Sequence, residues 1–146
     1  MKLMDVLGGE RKIRCFQLSD TKKIVLQSLT AEEARQVDRI VFSMFPNANF
    51  HTEANAGRVH LLARSLVSVD GIPATQLDDV AALLAKHKGD VGYTPLMAIT
   101  EILGEQDNES INLFYTLYLT LEKENREEKD KIKDFCLAQK ADSTGN

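Results

Sequence analysis

The residues of this chain able to do chemistry are few, and their spacing keeps them apart. His51, His60 and His87 form no HExxH pair, and Cys15 and Cys136 have neither a CxxC spacing nor a histidine cluster beside them, so no metal site is expected. Two distant thiols fit a reducing compartment better than a disulfide framework. His60 falls beside the apolar stripe of a helix and has no sequence partner to make it a general base. An enzyme would require the fold to bring His60, Asp70 and Glu53, or similar groups, into one cleft. Asp78 and Asp79 point about 100° apart on a helix, which suits first-turn partners of the helix dipole and not a shared substrate atom. Gly8-Gly9 lacks the strand and the GxGxxG or GxxxxGK[ST] frame of a phosphate loop, and Ser65, in ARSLV, stands in no GxSxG elbow. No catalytic residue and no cofactor is expected. The small basic clusters Lys86-His87-Lys88 and Arg11-Lys12 have no interleaved aromatic platform, and 22 acidic residues outnumber 18 basic ones, for a formal charge of −4. A nucleic-acid partner is not expected from that balance.

What remains is apolar surface. The segment Ile111–Leu121 carries Phe114, Tyr115 and Tyr118, and an exposed side of it would use aromatic anchors to hold a partner or a second copy. The competing reading makes it the central core helix around which the others pack. Ile132, Phe135 and Cys136 stand at i, i+3 and i+4 after a charged stretch, and either dock on a partner or fold back on their own domain. Phe45, Phe50, Phe114, Tyr115, Tyr118 and Phe135 are the candidate partner-binding residues.

These side chains need elements to carry them. With 146 residues and 43% hydrophobic content, the chain has material for one core. The expectation is a mainly α fold: a small bundle of about five helices over about 1–140, with an N-terminal β-hairpin at about 11–29, a long C-terminal helix, and a disordered tail at 141–146. The hairpin strands lie at 12–18 and 22–29 around Ser19-Asp20-Thr21. Thr30 and Glu33 form a capping box that opens a helix with Val37, Ile40, Val41, Met44 and Phe45 on one stripe, ended by Pro46-Asn47. Thr52 caps a second, with Val59, Leu62, Ala63, Leu66 and Val67 buried. Asp70-Gly71 turns the chain, and Thr75 opens a third helix that Gly89 closes. Thr94-Pro95 begins the fourth, which Gly104 ends. The fifth starts near Asp107, is apolar almost all round to Leu121, and continues through a charged stretch, Glu122–Asp134, supported by i, i+4 pairs. The apolar run is about half of the roughly 20 residues that cross a bilayer, so no membrane association is expected.

The order of several of these features resembles the tail assembly chaperones of tailed bacteriophages. The resemblance covers roughly residues 22–106. It rests on Leu29-Thr30-Ala31-Glu32-Glu33, on Arg58 through Leu62-Ala63-Arg64-Ser65-Leu66-Val67, on Asp70-Gly71-Ile72-Pro73, on Leu77-Asp78-Asp79-Val80-Ala81-Ala82-Leu83-Leu84, and on Leu103-Gly104-Glu105. It implies a non-enzymatic protein of the infected cell's cytoplasm that coats the long helical tape-measure protein, helps recruit tail-tube subunits, and is absent from the finished virion. Masking apolar stripes on such a partner is what helix-in-groove recognition achieves. The apolar segment Ile111–Leu121 with its charged extension departs from the family pattern, and opens the alternative of a tail or baseplate subunit retained in the particle.

Overall fold

The computed structural model describes residues 1–3, 11–44 and 50–144, with the side chains of 44, 50–56 and 140–144 excepted. The hairpin forms as the residue pattern dictates. Strands β1 (Ile13–Gln17) and β2 (Lys23–Gln27) pair antiparallel, with Phe16 opposite Ile24 and Arg14 opposite Leu26. Ser19 makes the turn, its hydroxyl accepting from the Lys22 amide at 3.1 Å. Period-2 alternation sends Phe16, Ile24 and Leu26 into the core and leaves Ile13 and Cys15 outside.

The capping box is reciprocal. The Thr30 amide donates to Glu33 Oε1 at 2.9 Å, and the Glu33 amide donates to Thr30 Oγ1 at 3.1 Å, opening α1 (Ala31–Met44). Helix α2 (Phe50–Ser65) begins two residues ahead of Thr52.

Its end differs from the expectation. Leu66 and Val67 leave the helix for a third strand, β3 (Leu66–Val69), which pairs with β2 through Ile24 and Val69, Val25 and Ser68, and Leu26 and Leu66, with an irregularity between Val25 and Leu26. Asp70 and Gly71 then take φ of 51° and 80°, two consecutive positive values, and return the chain as β4 (Ile72–Pro73). That double left-handed turn matches the twist of a tight hairpin. The helical spacing of Leu62, Ala63, Leu66 and Val67 loses to ladder pairing with β2, so a four-stranded antiparallel sheet, in the order β1-β2-β3-β4, replaces the lone hairpin. At 65% helix the chain is nonetheless mainly α.

Thr75 opens no helix either. It lies in a 3-10 turn, Ala74–Gln76, and α3 (Asp78–Lys86) starts from Leu77 without a side-chain cap. Gly89 at φ 99° lets the chain leave α3. Helix α4 (Pro95–Gly104) begins as the Thr94-Pro95 pair requires, with Thr94 Oγ1 accepting from the Met97 amide at 3.2 Å. Helix α5 (Asn108–Thr144) runs unbroken for 37 residues, about 55 Å at the helical rise. Asp107 caps it by accepting from the Ser110 amide at 2.8 Å, and that bond holds the Asp107 carboxyl below the usual range. Over 141–144 the backbone is helical and not the expected tail, because no Gly or Pro precedes Gly145 to stop it. Residues 145–146 lie outside the described part.

The core has two lobes. Phe16, Ile24, Leu26, Leu62, Ile111, Tyr118 and Leu121 bury one between sheet, α2 and α5. Ala63, Ala74, Val80, Ala98 and Ile99 bury the other among α2, α3 and α4. Leu62 and Ala63 are neighbours about 100° apart on a helix, so α2 feeds both lobes at once. It packs on α1, α4 and α5 and is the hub, whereas Ile111–Leu121 lies against one side of the domain and is not the central helix.

Candidate functional site

An apolar cleft of about 230 Å³ opens where the two lobes meet. Leu26, Leu62 and Phe114 come to it from the first lobe, Val80 and Ile99 from the second, and Leu103 touches both. Asp79 and Gln106 are its polar lining residues. The sheet makes this cleft possible. Because the chain bends into β3 after Ser65, Leu66 stands opposite Leu26 and Val69 opposite Ile24, and these four residues line one side of the cleft.

The predicted partner-binding residues part company. Phe114 is half-buried and lines the cleft. Tyr115 is half-buried beneath Arg58, whose Cζ stands 4.9 Å from the ring centroid while its Nη1 donates to Asn112. Tyr118 is only 4% exposed and belongs to the core, so it offers no surface to a partner. Burial and the nearby Glu122 carboxylate push its hydroxyl up to about 12. Phe135 is 63% exposed, far along α5. Phe45 lies outside the described residues, as does the side chain of Phe50.

From Arg126 to Gln139 every side chain of α5 is exposed, so this stretch of the helix projects as an arm. Its root is tied to the first strand and the residue before it: Arg14 of β1 pairs with Glu124, and Lys12, just ahead of β1, with Glu128. Lys12 holds the Glu128 carboxyl below the usual range. The exposed apolar residues of the arm are Ile132, Phe135 and Leu137.

Of the His60, Asp70 and Glu53 set, Asp70 has a bond within the fold. Asp70 Oδ1 accepts from the Lys23 amide at 2.7 Å and fastens the β3–β4 turn to β2. His60 is half-buried on α2, and burial together with the Arg64 charge holds its imidazole below the ordinary range, hence neutral at pH 7. The side chain of Glu53 lies outside the described part. Among the described residues no three His, Cys, Asp or Glu side chains gather as a metal would need, and no helix is long and apolar enough to cross a membrane. The cleft residues of α3 and α4 were visible in the sequence only as core stripes. Nothing local to them signals that the lobes leave a gap.

The chain matches no protein-family model, no curated protein and no solved structure.

Proposed function

We propose that this chain is a non-enzymatic assembly chaperone for a phage tail or baseplate, binding apolar helical segments of a tape-measure or hub protein in the host cytoplasm during tail morphogenesis. The observation that carries the reading is the apolar cleft between the lobes, open to solvent and lined by Leu26, Leu62, Val80, Ile99, Leu103 and Phe114. A site of this chemistry takes an aliphatic or aromatic side chain from one face of a partner helix, without a covalent step. The partner class comes from the resemblance of residues 22–106 to tail assembly chaperones. Reversible capture suits such a task, because a chaperone must release what it holds.

Co-expression with a tape-measure fragment tests it. The fragment is expected to become soluble with the chain and to lose that gain with Ile102→Asp, a charge placed in the cleft wall, provided the variant keeps its circular dichroism. A fragment no more soluble with the chain than without it refutes the proposal. The exposed Ile132 and Phe135 favour a second reading, a subunit that stays in the particle through the arm. Mass spectrometry of purified virions separates the two, since a chaperone leaves and a subunit remains.

A further inference from the structure

The cleft between the lobes is apolar within and acidic around. Among the described residues that line it stand no Lys, Arg or His, and the polar ones are Asp79 and Gln106. Asp79 lies in the first turn of α3, and Gln106 in the bend between α4 and α5. Carboxylates crowd both places. Asp78 adjoins Asp79, Glu105 and Asp107 adjoin Gln106, and Glu109 stands in the first turn of α5. All five are exposed, and none is in an ion pair among the described residues.

This charge is not cancelled locally. A helix start supplies about half a positive charge, so the N-termini of α3 and α5 together offset roughly one of the five carboxylates. Within two residues of a lining residue the cations are Lys22, Lys23 and Arg64. Arg64 is engaged on α1 and α2, its Nε donating to Gln36 Oε1 at 3.3 Å and its Nη1 to the His60 carbonyl at 3.0 Å. Setting both lysines against the carboxylates still leaves a negative surplus. The cleft itself, at about 230 Å³, is smaller than the roughly 300–1,000 Å³ of pockets that enclose a drug-sized molecule, and suits one or two side chains of a larger partner.

We propose that the helix received by the cleft is basic beside its apolar anchor, with Leu-like or Phe-like side chains in the cleft and Lys or Arg three or four residues away, against the carboxylates of α3 and of the α4–α5 bend. The proposal rests on the reading of the cleft as a helix-binding site and adds what selects the helix. Positions three and four residues apart share a helix face, so an anchor seated in the cleft carries its neighbours onto the acidic surround. Apolar burial holds the segment; charge chooses it and speeds its arrival. An acidic helix with the same apolar face sets like charges against each other and is rejected.

Three fluorescein-labelled helical peptides with one leucine stripe at i, i+3, i+4 and i+7 test this by anisotropy against the full chain. They differ in the residues flanking the stripe, which are all Lys, all Gln or all Glu. At about 0.1 M salt the Lys peptide is expected to bind about tenfold more tightly than the Gln peptide, a ratio that a few exposed ion pairs supply, with the Glu peptide weakest. At about 1 M salt, where the Debye length falls from about 10 to about 3 Å, the three should converge. The combined variant Asp78→Asn, Glu105→Gln, Glu109→Gln should remove most of the Lys preference; Asp79 and Asp107 are kept because each accepts a backbone amide. Ile102→Asp should abolish Lys-peptide binding with its circular dichroism unchanged. Gln106→Lys, at an exposed lining residue, places the cleft independently of that variant by weakening the Lys peptide and favouring the Glu peptide. Gln or Glu peptides bound as tightly as the Lys peptide, with that binding lost in Ile102→Asp, would overturn the inference and leave the cleft reading standing. Lys-peptide binding indifferent to Ile102→Asp and Gln106→Lys would overturn it as charge attraction outside the cleft. Binding of none of the three would remove the cleft reading and the inference together.

Discussion

The hydroxyl of Ser65 donates to the backbone carbonyl of Gln27 at 2.8 Å, joining the last residue of α2 to the last residue of β2 with no exposure of the serine to solvent. It sits at the point where a helix gives way to a strand. The register irregularity between β2 and β3 falls next to it, at Val25 and Leu26, so this bond fixes where the ladder resumes. Ser65→Ala removes the buried donor and leaves a part-buried acceptor without that partner, which is expected to cost about 1 kcal/mol in urea unfolding. An unchanged midpoint would mean that the β2–β3 register is set elsewhere.

The β3–β4 turn makes a second prediction, on backbone grounds alone. Gly71 sits at φ 80°, and no atom stands within 4 Å of where a Cβ would be, so Gly71→Ala meets strain without a clash. The expected loss is about 1 kcal/mol, the cost of a left-handed L-residue. Asp70→Ala adds the loss of the 2.7 Å bond to the Lys23 amide. Thermal melts of the two variants should rank the turn's contributions, and a neutral Gly71→Ala would show that the turn relaxes.

Local signals were legible wherever a short-range bond decides the outcome. Thr30 with Glu33, Thr94 with Pro95, and Asp70-Gly71 all do in the structure what their types suggest. Leu66 and Val67 mislead because their spacing from Leu62 and Ala63 satisfies a helix, while the strand that takes them pairs with β2, Leu66 opposite Leu26 some 40 residues earlier, beyond the reach of any local pattern. Asp-Gly between apolar residues was in fact a hairpin signal as well as a turn signal. At the candidate site the same limit applies. A segment apolar almost all round does not say which side meets the domain, so Tyr118 looked as available as Phe114 until packing on Leu26 and Leu62 settled the faces. For Phe135 the sequence leaves docking on a partner and folding back on the domain open, and its 63% exposure shows that it does not fold back.

Tyr118 yields a prediction at alkaline pH. Its folded-state value of about 12 lies above the ordinary tyrosine value of 10.0, raised by burial first and the Glu122 carboxylate second. A raised acid binds its proton more tightly when folded, so the stabilisation is whole below pH 10 and is lost as pH rises from 10 toward 12. Urea midpoints should fall across that window, and less steeply in Tyr118→Phe. Tyr93 is also raised to about 12, through its hydrogen bond to Glu101, so Tyr93→Phe is the necessary control. Absorbance at the phenolate band should show two tyrosines ionising late in the wild type, one in each single variant, and neither late step when both substitutions are combined.

The last prediction decides which side of α5 the domain uses. Leu121 has no exposure and closes the first lobe against the sheet, whereas Leu119, two residues earlier, is 44% exposed. Their side chains are identical, and they differ by about 200° around the helix. Leu121→Ala empties a packed position and is expected to cost about 2.5–5 kcal/mol, enough to threaten a domain of this size. Leu119→Ala should stay within about 0.5 kcal/mol of the wild type. Were the two losses alike, α5 would be buried on both sides by something the monomer lacks, and Leu113 and Leu119 would have to be counted as interface. A large gap between them assigns the packed face to the Tyr118–Leu121 stripe. The apolar arm residues Ile132 and Phe135 then carry that same face into solvent.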